Sequence, residues 1–235
     1  MKTIQWIAAC AALSMAQVAT AQAVVTAPPQ NVLQLSSSGT VEVQQDLLSM
    51  TLATTREGTD AAAVQNQLKT ALDAALAEAR KSAQPGQIDV RTGNFNLSPR
   101  YTRDGKISGW QGSTELILEG RDFPGITRTA ARVSTLTVGN IGFGLSREER
   151  ARVEVDAQDQ AIGNFKKKAE ELAKAFGFGG YTLREVSVNA SQGGPVRPRA
   201  MAMEASAKSY SSEPVPVEAG KTTVVVNVSG SVQLK

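Results

Sequence analysis

Polar and aromatic side chains are densest between residues 94 and 110 of this chain. They are Asn94, Ser98, Arg100, Tyr101 and Trp110. Because tyrosine, tryptophan and arginine are favoured at protein interfaces, this group predicts a binding surface or a subunit contact. Cross-strand packing in a hairpin, with Pro99 marking a bulge or an edge, accounts for the same residues without a binding role.

Few side chains remain for catalysis. The sequence contains no histidine, and its one cysteine, Cys10, lies in an N-terminal segment that we expect to be removed. The usual Ser-His-Asp and Cys-His relays and the usual zinc sites therefore lack their ligands or nucleophiles. We expect a protein that is not an enzyme and that carries no cofactor.

Two charged groups on one predicted helix have both a functional and a simpler interpretation. Acidic residues that could act as paired acids in hydrolysis are Glu148, Glu149, Glu154 and Asp156; a solvated helix face near a favourable dipole explains them as well. Lys166, Lys167 and Lys168 could attract anionic lipid. The neighbouring glutamates favour ordinary pairing along the helix instead.

The methionines and glycines offer weaker signals. Met201 and Met203 form an M-x-M pattern that could bind Cu(I), although incidental methionines in a loop explain it too. No other metal site is predicted. The glycines of residues 139–144 lack the G-x-G-x-x-G spacing of a nucleotide-binding turn.

The N-terminus has the layout of a secretory signal peptide. Lys2 precedes the apolar stretch 4–19, and two overlapping A-x-A sites end at Ala21 and Ala23. A lipobox ending at Cys10 and a retained membrane helix are the alternatives. The apolar run continues past Cys10 and is shorter than the roughly 20 residues of a span. We expect residues 1–23 to be removed and the rest to be exported, with no integral membrane span.

Charge and composition restrict the partners. The chain has a net charge of +3, and no basic block stands out from the acidic residues around it, so nucleic acid is not an expected partner. After a flexible leader at residues 24–32, we expect a domain at 33–235, either undivided or in two subdomains. A stretch rich in glycine, proline, serine and alanine at residues 191–219 predicts a mobile loop within it.

Hydrophobic periodicity predicts seven strands and three helices. The strands are 33–44, 47–56, 88–101, 107–119, 136–145, 181–190 and 222–234. The first two are separated by a link short enough for a hairpin, and an Asp-Gly turn predicts a second hairpin at 88–119. The order predicts an α+β fold, an antiparallel or mixed β-sheet with two long helices and one shorter helix packed on it.

Capping residues mark where the helices begin. Thr59 and Asp122 are expected N-caps, and Ser146 with Glu149 forms a capping box at the start of the longest helix. The first helix ends before Pro85 and the longest one at Gly177. The apolar stripe expected on the longest helix consists of Val155, Ile162, Phe165, Ala169, Leu172 and Phe176.

Several blocks, in this order, resemble the SIMPL-domain family. They are residues 38–43 leading to Asp46, 92–101, 107–110, 141–146 and 168–173. Trp110 departs from the tyrosine common at its position. The family includes bacterial periplasmic proteins described as immunogenic or as oxidative-stress defence factors. The resemblance implies periplasmic export, an α+β fold and homo-oligomers, ring-like or channel-like in some relatives, and it supplies no catalytic residue.

Together these observations predict a non-enzymatic periplasmic protein that self-assembles and contributes to envelope or oxidative-stress tolerance through protein contacts. The expected partners are further copies of the chain and an envelope protein. The alternative is a periplasmic small-ligand or metal-binding protein that uses a groove near Trp110 and Tyr101.

Overall fold

The computed structural model describes residues 30–191 and 215–235. The expected signal peptide, Cys10, most of the leader, Met201, Met203 and residues 192–214 of the expected loop lie outside the described residues. The strands are β1 (Val32–Gln44), β2 (Leu47–Gly58), β3 (Asp89–Tyr101), β4 (Ile107–Gly120), β5 (Thr137–Gly144), β6 (Tyr181–Ser191) and β7 (Lys221–Leu234). The helices are α1 (Ala61–Arg80), α2 (Phe123–Arg132) and α3 (Arg147–Ala175).

The strands form two antiparallel sheets, each with its own core: α3 packs on one sheet, and α1 and α2 pack on the other. One sheet has the order β1-β7-β6 and the other has the order β3-β4-β2-β5. The α+β prediction is confirmed, although the strands divide between two sheets. None of the helices in the described part of the chain is long and apolar enough to cross a membrane.

The hairpin expected between β1 and β2 is wrong, because the two strands lie in different sheets. Between them, the Gln45 N–H donates to the carbonyl of Gly220 at 3.0 Å, and the Asp46 N–H donates to the carbonyl of Gly144 at 3.1 Å. The link is thereby pinned to the strands on either side. β1 buries its apolar residues against α3, whereas β2 buries its own beneath α1 and α2.

The four-stranded sheet has the connections of a split βαβ unit, β2-α1-β3-β4-α2-β5, with both helices on one face. Its core is made of Leu48, Met50, Leu52, Leu116, Leu118, Ile126 and the alanine face of α1. The N-cap of α1 is Asp60, whose carboxylate accepts from the Ala63 N–H at 2.7 Å, so the expectation of Thr59 is wrong by one residue. Asp122 caps α2 as expected.

Helix α3 packs on the three-stranded sheet through small side chains. Its buried residues recur every four positions and are Val153, Ala157, Ala161, Phe165, Ala169 and Ala173. The expected apolar stripe is therefore partly wrong, and Val155 and Phe176 are exposed. The reason is the close approach of the helix to β1, where a Cβ on Gly39 would lie 2.0 Å from the Ala157 carbonyl oxygen. Alanine fits this distance and larger aliphatic side chains do not.

Candidate functional site

The hairpin that carries the predicted binding residues forms as expected. β3 pairs with β4 in an antiparallel register, and the Thr102 N–H donates to the Lys106 carbonyl at 2.8 Å across the turn. Gly105 adopts a φ of 75°, which glycine tolerates and most residues avoid. The structure therefore places the predicted group on two neighbouring strands of one sheet.

The register separates the predicted residues between the two faces of the sheet. Trp110 lies opposite Pro99 and Gly58 and is partly buried on the face that α1 covers. Arg100 is one position along from Pro99, so its side chain lies on the opposite, uncovered face. Ser98 shares that face. The five residues consequently do not form one continuous surface.

On the uncovered face, polar side chains bind one another and nearby backbone groups. Arg100 forms an ion pair with Glu57 of β2, and Ser98 Oγ donates to the Gln111 carbonyl at 3.4 Å. Asn94 lies in a bulge, where its backbone N–H donates to Glu115 Oε2 at 3.2 Å. The Arg100–Glu57 pair is about half exposed on both sides, so solvent screens much of its attraction.

Apolar and aromatic side chains remain exposed on the hairpin. They are Phe95, Tyr101 and Ile107, of which Tyr101 is the most exposed at 63%. Tyr101 and Ile107 are paired at the end of the two strands, beside the turn. Tyr101 is therefore the member of the predicted group most available for a protein contact, and Ile107, which was not predicted, lies beside it.

Three of the four outer strands carry features that discourage pairing with another chain. β3 contains Pro99, two irregularities of register and the charged Arg91 and Arg100. β5 is only 8 residues long and its sequence includes three glycines. Proline, bulges, charge and short length are the devices by which natural sheets protect their edges.

The edge of β1 is protected by side chains of α3. Asn164 Nδ2 donates to the Ser38 carbonyl at 2.9 Å, and Lys168 Nζ donates to the Ser36 carbonyl at 3.0 Å. On the same strand, the Thr40 N–H donates to Gln160 Oε1 at 3.4 Å. These contacts occupy backbone groups that would otherwise be open to a further strand. They also give Lys168 a structural role.

In the described part of the chain, no side chain of α3 binds the backbone of β6 in this way, although β6 has one irregularity of register and the charged Arg184 and Glu185. We call the outer edge of this strand the β6 edge. The strand pairs with β7 on one side and contains no proline. Leu183, Val186 and Val188 lie on the side of the sheet that faces α3 and are 52%, 42% and 41% exposed. They remain exposed because α3 packs mainly over β1 and β7. Exposed aliphatic side chains beside an open strand edge are typical of an association surface.

Sequence reasoning found strand β6 but missed its edge. The alternation of residues 181–190 predicts a half-buried strand. A strand at the centre of a sheet and one at its edge can show the same alternation. The sequence did contain one signal for an exposed edge: the number of large aliphatic residues that α3 would have to cover. Its use requires the position of α3, which the sequence pattern does not give.

Several acidic and basic groups of α3 form ion pairs along the helix. Arg152 binds Glu149 and Asp156, and its hydrogen bond lowers the pKa of Glu149 below the ordinary value. Lys174 likewise pairs with Glu170 at 2.8 Å and lowers the pKa of that carboxyl. These are contacts between exposed neighbours one helical turn apart. The structure therefore assigns these acids and bases to pairs with one another.

Asp46 is the carboxylate with the most specific surroundings. Burial by itself would raise its pKa, but hydrogen bonds from Ser146 and the charge of Arg121, 3.3 Å away, lower the pKa below the ordinary value. The Ser146 N–H binds Asp46 at 2.7 Å, in the place that the capping-box interpretation gave to Glu149. Ser146 Oγ still accepts from the Glu149 N–H at 3.2 Å, so the N-cap is confirmed.

The cavities that open on the described surface include the following two. One of about 410 Å³ lies on the polar face of the three-stranded sheet, beside Ser36, Glu185 and Ser229. The other, of about 610 Å³, lies beside α1 and is lined by Arg56 and Thr135 among others. Neither is lined by Trp110 or Tyr101. In the part of the chain that the structure describes, no group of three or more acidic, cysteine or histidine side chains could hold a metal ion.

A family model matches most of the chain. The model of the SIMPL family, whose description is protein of unknown function (DUF541), matches residues 33–232. The matched span runs from β1 into β7 and so includes both sheets and the three helices. No curated protein matches the chain.

Proposed function

Because the chain belongs to the SIMPL family, we propose that it is a non-enzymatic periplasmic protein that self-assembles through strand edges. In this proposal the assembly contributes to envelope or oxidative-stress tolerance by protein contacts, with copies of itself and with an envelope protein. The N-terminal layout of residues 1–23 supports export. Two long helices and a shorter one, of 29, 20 and 10 residues, brace the sheets whose edges make the contacts.

The observation that carries the proposal is the β6 edge. Leu183, Val186 and Val188 are exposed on a strand that contains no proline and whose backbone, among the described residues, receives no side-chain hydrogen bonds of the kind that α3 makes with β1. Burying such side chains against a partner gains roughly 25 cal/mol for each Å² removed from water. Pairing of the strand edge adds directional hydrogen bonds to that gain.

The proposal of no enzymatic activity rests on the residues that the chain carries. The sequence has no histidine. Among the candidates on α3, Glu149 and Asp156 bind Arg152, Lys167 pairs with Glu171, and Lys168 donates to the Ser36 carbonyl. Such a surface suits contacts with other macromolecules better than turnover.

Self-assembly is tested by measuring the mass of the purified mature protein by light scattering at micromolar concentration. We expect a defined oligomer for the wild type and a large loss of that species for Val186→Lys, which adds a charge to the β6 edge. Val138→Lys is the matched control, since Val138 is 37% exposed and lies on the other sheet. A wild-type protein that remains monomeric would contradict the proposal.

The stress role is tested separately in cells. A strain without the protein is expected to lose tolerance to peroxide or envelope stress and to regain it with the wild type but not with Val186→Lys. Cell fractionation of the same strains tests the periplasmic location. If Val186→Lys restores tolerance fully while it remains monomeric, assembly is not needed for the role.

A small-ligand or metal-binding function is the second proposal, and the partial burial of Trp110 beside Pro99 and Gly58 is what favours it. Removal of residues 1–23 takes away Trp6 and leaves Trp110 as the single tryptophan. A ligand near Trp110 and Tyr101 would therefore change the whole tryptophan emission. For a metal, Cu(I) is titrated into the wild type and the Met201→Ala, Met203→Ala variant, and equal affinities would eliminate that site.

A further inference from the structure

The β6 edge matches a second copy of itself in one antiparallel register, and we propose that this pairing joins two protomers. The inference rests on the proposed self-assembly and adds the partner, the register and the symmetry of the contact. A two-fold axis passes between Arg184 and Glu185. Arg184 therefore lies opposite the partner's Glu185, and Glu185 lies opposite the partner's Arg184. The two three-stranded sheets then continue into one six-stranded sheet.

The apolar face of β6 fits this register. An axis between Arg184 and Glu185 places Leu183 opposite the partner's Val186 and Tyr181 opposite the partner's Val188. In β6, Leu183 and Val186 lie on the same face despite their odd spacing, because the strand is irregular between Leu183 and Glu185. The exposed aliphatic side chains are thereby brought against one another across the new pairing, where cross-strand contacts stabilise a sheet.

The polar face fits the same register through charge. Arg184 Nη1 donates to Gln233 Oε1 at 3.3 Å, which brings its guanidinium toward the polar face of the sheet. Glu185 lines the polar cavity with Ser229 and Ser231. Neither charge forms an ion pair within residues 30–191 and 215–235. In the dimer, each finds an opposite charge on the partner, twice by symmetry.

Neighbouring registers are disfavoured by the same two residues. An axis through Arg184 places two guanidinium groups opposite each other, and an axis through Glu185 places two carboxylates opposite each other. Like charges directly opposite in a sheet are destabilising. The charge order of β6 therefore selects one alignment.

The contact is isologous, so it closes on itself and produces dimers. The far edge of the three-stranded sheet is β1, where Asn164 and Lys168 occupy outward backbone carbonyls. A larger assembly then requires a second contact elsewhere, and the exposed hairpin tip at Tyr101 and Ile107 is available for it.

Charge exchange at the two central residues tests the register. Arg184→Glu and Glu185→Arg, made singly in the full mature chain, each place like charges in opposition twice, and we expect dimerisation about tenfold weaker or worse. The double variant restores opposite charges and should return to the wild-type constant. An equimolar mixture of the two single variants should also dimerise, because a hybrid pair has opposite charges at both positions.

Sedimentation velocity measures the constants, and urea unfolding checks that each variant is folded. A monomeric wild type would contradict both the assembly and this pairing. An assembled wild type and three variants of unchanged affinity would overturn the register but leave the assembly. Loss of dimer in all variants, without rescue in the double variant or the mixture, would indicate a different occupant of the β6 edge and would overturn the pairing.

Discussion

The carboxylate of Asp46 accepts hydrogen bonds from the backbone N–H of Ser146 at 2.7 Å and from its hydroxyl at 2.6 Å, across 100 residues of sequence. Asp46 lies where the chain leaves the three-stranded sheet for the four-stranded one, and Ser146 lies where the chain returns. The carboxylate thus binds the outgoing and returning connections together and orients the first turn of α3.

Replacing Asp46 with asparagine is expected to destabilise the fold by about 1–3 kcal/mol, since hydrogen bonds to a charged acceptor are stronger than neutral ones. Urea unfolding near neutral pH measures the change. The control is Asp73→Asn, at an exposed position of α1, which should change stability little. Equal stability of wild type and the Asp46 variant would show that this carboxylate does not hold the two connections.

The contribution of Asp46 should depend on pH. Its pKa is lower in the folded state than the ordinary 3.8, so its stabilisation is complete above the unfolded-state pKa and is lost as the pH falls through the folded one. The difference in unfolding free energy between wild type and Asp46→Asn should therefore be constant near neutrality and shrink below about pH 4. A difference that grows on acidification would contradict the lowered pKa.

Gly39→Ala is expected to be strongly destabilising. The added Cβ would lie 2.0 Å from the Ala157 carbonyl oxygen and 2.6 Å from the Ala161 nitrogen, and both are backbone atoms that move only with α3. We expect the free energy of unfolding to fall by about 1–3 kcal/mol, as for overpacking in a core. Gly142→Ala is the control, since nothing lies within 4 Å of its Cβ. Similar thermal stability of the two variants would show that α3 lies further from β1 than these distances imply.

Thr114→Val is expected to stabilise the protein. The Thr114 hydroxyl is buried and has no hydrogen-bond partner among the described residues, so an isosteric methyl group removes a desolvation cost of about 1 kcal/mol. Thr129 is equally buried, but its hydroxyl donates to the Gly125 carbonyl at 2.7 Å. Thr129→Val should therefore destabilise, and opposite signs in denaturant unfolding would confirm the difference.

Tyr101→Ser at the hairpin tip should leave unfolding unchanged and reduce the largest assembled species seen by light scattering. Tyr101 is too exposed to contribute much to the core. Arg100→Ala is the neighbouring control, since its exposed ion pair with Glu57 is worth less than about 1 kcal/mol. If Tyr101→Ser unfolds more easily and assembles normally, the aromatic side chain serves packing.

Local patterns predicted the elements well and their partners poorly. The turn at Gly105 fixed the β3–β4 hairpin because two strands joined by a tight turn have few other arrangements. The link at Asp46 is also short, yet its strands separate, because each buries its apolar face under different helices. Periodicity predicts which face of a strand is buried, but it does not predict which element covers that face.

Sequence by itself determined the order of strands and helices, the cap at Ser146 and the absence of histidine, because these depend on neighbours within a few residues or on composition. The family was recognised by the resemblance of several blocks in order along the chain. Only the tertiary structure decided the division into two sheets, the alanine stripe of α3 and the open edge of β6. Each of those depends on distances between segments far apart in sequence, such as Gly39 and Ala157. Such distances are set by the packing of whole elements, which no local pattern encodes.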